Sequence, residues 1–113
     1  MKGLRFALLL CIAASPALAD DVSALVHKSH AAESHGKLDN AIMLMQSAMV
    51  ADPARVDTYV ALGDLYRRAH EDGFAQHFYD EALTLDPQAD GATRGLSLVG
   101  RTANAADKPL DKE

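Results

Sequence analysis

The chain has 113 residues, a formal net charge of −5 and a single cysteine. An acidic chain of this size is poorly suited to bind nucleic acid or an anionic membrane through bulk electrostatics, and its length allows one small domain. No Gly-x-Ser-x-Gly, His-Glu-x-x-His, Walker or dinucleotide-binding motif occurs, so the residues propose no enzyme, no catalytic group and no cofactor.

The first element is "MKGLRFALLLCIAASPALAD". It opens with Lys2 and Arg5, runs apolar from Phe6 to Ala14 and closes on Ala17-Leu18-Ala19. A charged start, a short apolar run and an Ala-x-Ala site read as a secretory signal peptide over residues 1–19, cut after Ala19. The run falls short of the roughly 20 apolar residues that a transmembrane helix needs, so no stable membrane insertion is expected. Leu10 before Cys11 argues against a lipoprotein, whose modified cysteine follows a small residue. Cleavage removes Cys11, so the secreted chain has no disulfide or thiol chemistry. It also leaves nine basic against sixteen acidic residues, a net charge of −7. The expected location is the Gram-negative periplasm.

Helical spacing begins directly afterwards. Val22, Leu25, Val26 and Ala32 recur on one face, and Gly36 is a natural helix stop. Ala41, Met45, Ala48 and Met49 define a second helix, and Asp52-Pro53 closes the pair. A second pair follows, with Tyr59, Leu62, Leu65, Tyr66 and Ala69, then Ala75, Phe78, Tyr79, Ala82 and Leu83, before Asp86-Pro87. Shifting the chain by 34 residues superimposes Val22 on Val56, Ala41 on Ala75, Ala48 on Ala82 and one Asp-Pro on the other. A fixed period of this length marks stacked supersecondary units.

The expectation is an all-α short solenoid: two antiparallel helix pairs, over about 20–53 and 54–87, and a C-terminal capping helix over about 88–102. Leu96, Leu98 and Val99 would dock that helix on the second pair. Gly91, Gly95 and Gly100 weaken it, at about 1 kcal/mol each relative to alanine. Residues 103–113 read as a disordered tail.

The second unit resembles the tetratricopeptide repeat, through Tyr59-x₂-Leu62-Gly63-x₂-Tyr66, Ala75-x₃-Tyr79, Ala82 and Pro87. The first resembles it less closely. It keeps Ala41, Ala48 and Pro53, but has Leu25 for the aromatic, Lys28-Ser29 for the Leu-Gly pair and Ala32 for the tyrosine. In the second unit's turn, His70 stands where a glycine is usual, with Gly73 three residues on. Small residues such as Gly63, Ala75 and Ala82 fit close helix contacts, and tyrosines fill the larger holes.

The resemblance implies a concave partner-binding groove. It would be lined by Val26, His27, His30 and Glu33, then Asp57, Val60, Ala61, Asp64 and Arg67, with Arg94 and Arg101 from the final helix. Val26, His30 and Ala61 stand where some members place a lysine–asparagine clamp for a terminal carboxylate, so that activity is not implied. The expected function is a scaffold or adaptor holding a peptide or protein partner. One alternative is a periplasmic copper or zinc carrier using His27, His30 and the methionines Met43, Met45 and Met49. No third ligand is fixed by spacing, so no metal site is assigned. The other alternative is a structural subunit of an envelope assembly. Self-repulsion of the acidic chain favours a monomer, with a dimer through the open repeat edge as the variant.

Overall fold

The structure is a computed structural model that describes residues 16–107. Most of the leader, residues 1–15, and the end of the tail, residues 108–113, lie outside the described residues. Among the described residues five helices follow one another: α1 (Pro16–Ser34), α2 (Leu38–Ala51), α3 (Val56–Arg68), α4 (Asp72–Leu85) and α5 (Asp90–Asp107). The fold is an all-α short helical repeat. α1 packs on α2, α3 on α4, α2 joins the two pairs through α3, and α5 covers α4 and part of α3. The proposed cleavage point after Ala19 falls near the start of α1, in its first turn.

Both intra-pair turns are built alike. At the end of α1 the Gly36 N–H donates to the Glu33 carbonyl (2.9 Å) and the Lys37 N–H to that of Ala32 (2.9 Å). At the end of α3 the His70 N–H donates to Arg67 (3.1 Å) and the Glu71 N–H to Tyr66 (2.9 Å). This is the Schellman pattern, which needs a left-handed residue after the helix. Gly36 meets the need at φ 73°, and His70 meets it at φ 60°. The histidine therefore leaves the turn's shape unchanged. The inter-pair connections also match, because the Asp52 and Asp86 carboxylates accept from the N–H two residues on, at 3.4 and 2.9 Å.

Two apolar clusters form the core. Val22, Ala32, Ala41, Met45, Ala48, Leu62 and Leu65 are buried in the first. Ala75, Tyr79, Ala82, Ala89, Ala92 and Val99 are buried in the second. Tyr66 packs against both. At the register position of Gly63, the first unit carries Ser29, which is buried and donates its hydroxyl to the Ala41 carbonyl at 2.7 Å. That bond explains how a polar residue sits at a helix contact without a desolvation cost.

The final helix differs from expectation. It runs past Thr102 to Asp107, through the helix-forming stretch "ANAA". Its glycines are not simply weak points. A Cβ on Gly95 would enter the Tyr79 ring, and one on Gly91 would lie 2.9 Å from Val60 Cγ1. Gly100 has nothing within 4 Å. Val99 is buried and Leu96 packs on the second cluster, whereas Leu98 is half-buried outside it.

Candidate functional site

α1 and α3 are the first helices of their pairs, and a polar groove opens between them. One cavity of about 250 Å³ is lined by His30, Glu33, Met45, Ala61, Asp64, Leu65, Arg67 and Arg68. A smaller one, of about 80 Å³, shares His30, Met45 and Ala61 with it and adds Val26, Arg55, Asp57 and Thr58. Helical spacing produces this convergence: Asp57, Ala61, Asp64 and Arg68 recur along one stripe of α3, as His30 and Glu33 do on α1.

Every carboxylate in the groove has a partner. Glu33, only 20% exposed at its side chain, approaches His30 Nδ1 at 3.6 Å and accepts from Arg68 Nη1 at 2.5 Å. The Glu33–Arg68 pair ties the first unit to the second. Asp64 accepts the Tyr79 hydroxyl proton at 2.5 Å and lies 4.0 Å from Arg67 Nη2. Arg67 Nε also donates to the Tyr79 oxygen at 3.4 Å. Asp57 accepts from Arg55 Nε at 3.3 Å. Burial, with the Asp64 hydrogen bond behind it, pushes the Tyr79 phenol up to about 12, while Arg67 pulls the other way. The phenol therefore stays protonated, and it holds Asp64 in place from beneath.

Seven of the eleven expected groove residues line these cavities: Val26, His30, Glu33, Asp57, Ala61, Asp64 and Arg67. The other four do not. Val60 packs into the second core cluster beneath α5. His27 lies on the exposed side of α1 and lines neither cavity. Arg94 and Arg101 are exposed on α5 and make no ion pair among the described residues. Arg68, Arg55, Thr58 and Leu65 also line the groove without being among the expected residues. Arg68 carries a sequence signal, since it continues the stripe of Asp57, Ala61 and Asp64.

Of the candidate metal ligands, His30 and Met45 line the same cavities, with Met45 only 1% exposed, whereas His27, Met43 and Met49 line neither. Among the described residues no three His, Cys, Asp or Glu side chains come together as a ligand set. No helix among the described residues is long and apolar enough to cross a membrane. Neither a protein-family model nor a curated protein matches this sequence.

Proposed function

We propose that this chain is a tetratricopeptide-like interaction module of the Gram-negative periplasm, with no catalytic role, which seats a polar peptide or protein surface in the α1–α3 groove. The observation that carries this reading is the groove itself. Residues from two successive units meet there around a cavity of about 250 Å³ whose charged groups are already paired. Stacked helix pairs offer a rigid recessed surface, and rigidity lowers the ordering cost of binding. Three carboxylates face three guanidinium groups, with His30 beside them, so the groove has little net charge. It favours a partner that trades hydrogen bonds over one carrying a block of like charge.

Affinity capture from an envelope extract with residues 20–113 tests this, run in parallel with a variant carrying Arg67→Ala and Arg68→Ala. A partner held by the native groove and lost with the double variant fits the proposal. A partner retained equally by both places the contact elsewhere. The module acts as a monomer, because α5 covers Tyr79 and the second cluster. Light scattering should show one mass across concentrations, and truncation after Pro87 should give an associating species.

A further inference from the structure

A second surface, sharing no lining residue with the groove, lies where the end of α3 meets the starts of α2 and α4. Phe74 stands there between two open cavities. One, of about 510 Å³, is lined by Glu71, Gly73, Phe74 and His77. The other, of about 330 Å³, is lined by Asp39, Ile42, Tyr66, Ala69, Glu71 and Phe74. Phe74 is 56% exposed, an expensive position for a large apolar ring that the core does not require.

The ring is nevertheless held firmly. It stacks on Tyr66 with centroids 5.2 Å apart, and Tyr66 stacks in turn on Phe78 at 5.4 Å and an interplanar angle of 4°. Gln46 Nε2 donates to the Tyr66 hydroxyl at 2.8 Å and fixes that ring. The result is an aromatic platform whose outermost ring, Phe74, is more than half exposed. At its edge stand Asp39 and Glu71, both exposed, and neither forms an ion pair among the described residues. The groove's carboxylates are all partnered, whereas these two are free.

We propose that this platform docks a basic segment of a partner protein by receiving an arginine side chain. The guanidinium would lie over the Phe74 face, its aliphatic stem along Ile42 and Ala69, and its N–H groups toward Asp39 and Glu71. Charge complementarity selects this occupant: an aromatic floor with an unpaired acidic rim attracts a planar cation and repels an acidic or phosphorylated one. Arginine fits better than lysine because its guanidinium stacks flat and donates to two carboxylates at once.

The test is a nuclear magnetic resonance titration of the isotopically labelled protein with an acetylated peptide of alternating glycine and arginine. The same peptide with citrulline at each arginine is the control, since it keeps the shape and removes the charge. The arginine peptide should shift the amides of residues 39–42 and 69–75, while the citrulline peptide leaves them in place. Phe74→Leu, which keeps apolar volume without a π face, should weaken binding by roughly two- to fivefold. Asp39→Asn with Glu71→Gln should weaken it by a similar factor and flatten its salt dependence. Glu81→Gln, exposed on α4 and lining neither surface, should leave the peptide affinity unchanged. The proposal fails if those amides do not move at millimolar peptide, if citrulline binds equally, if Phe74→Leu binds as the native chain does, or if the shifts gather at His30 and Arg68.

Discussion

The two helix pairs solve the same packing problem with different chemistry. In the first, Ser29 and Met45 are both buried; at the matching positions in the second, Gly63 lies against the Tyr79 ring. Both long side chains are fully buried. A thioether is flexible and fills a hole without demanding a particular neighbour. A phenol is rigid, and Tyr79 is enclosed by glycines on both sides, Gly63 of α3 and Gly95 of α5. Its hydroxyl also reaches the groove and holds Asp64. The second unit thus couples core, capping helix and candidate site through one residue, whereas the first unit's core is adaptable. A tyrosine so placed makes its glycines indispensable and makes the groove depend on the cap.

The sharpest way to break this comparison is to fill the glycines. Gly63→Ala and Gly95→Ala each place a methyl within the Tyr79 ring's contact distance. The ring is enclosed and tethered, so strain should cost about 3 kcal/mol or more in each case. Gly100→Ala, with nothing within 4 Å, should instead stabilise α5 by about 1 kcal/mol. Denaturant unfolding of the three variants gives the signs. Equal effects at positions 95 and 100 would mean that Tyr79 is not clamped by α5.

These glycines also show where sequence reading stops. The 34-residue period, the Leu62-Gly63 pair, Ala75 and Ala82 identify the helix pairs, because each signal is local to a helix or repeats at fixed distance. What a glycine in α5 faces depends on how that helix docks, and no spacing within "DGATRGLSLVG" reports it. Read alone, Gly95 is a helix weakness; against Tyr79 it is a contact. Val60, expected in the groove, is a second case: it lies on α3, but the docking of α5 covers it. On α1 and α3, where one period governs the whole face, most of the groove was legible.

A smaller effect is expected at Ala82, buried in the second cluster. Ala82→Leu should lower stability by about 2 kcal/mol through overpacking, while Gln76→Leu, on the exposed side of α4, should leave it within about 0.5 kcal/mol. Thermal melts of both would sharpen the assignment of α4's inner face.

Tyr79 itself can be separated into ring and hydroxyl. Tyr79→Phe keeps the clamp and removes the bond to Asp64, which should cost about 1 kcal/mol at neutral pH. The native phenol titrates near 12 against an ordinary 10.0, so the unfolded chain releases that proton first. The stabilisation is therefore complete below pH 10 and declines as pH rises toward 12. Stability curves across that window should fall less steeply for Tyr79→Phe. Absorbance titration of the folded native chain should show Tyr79 ionising late, a step that Tyr79→Phe removes.

The smallest effect concerns the turns, where the two pairs share a shape but not a residue. Gly36 and His70 occupy the same left-handed position in matching hydrogen-bond patterns. A residue with a Cβ pays about 1–2 kcal/mol there, and glycine's greater freedom in the unfolded chain returns about 0.5–1 kcal/mol of that advantage. His70→Gly should therefore stabilise the protein by about 0.5–1 kcal/mol. Gly36→Ala should destabilise it by a similar amount, and through the backbone alone, because a Cβ at Gly36 meets nothing within 4 Å. Chemical denaturation measures both, and opposite signs are the expected result. If His70→Gly destabilises, the exposed imidazole contributes something to the second turn that glycine cannot, and the two turns are equivalent in geometry but not in energy.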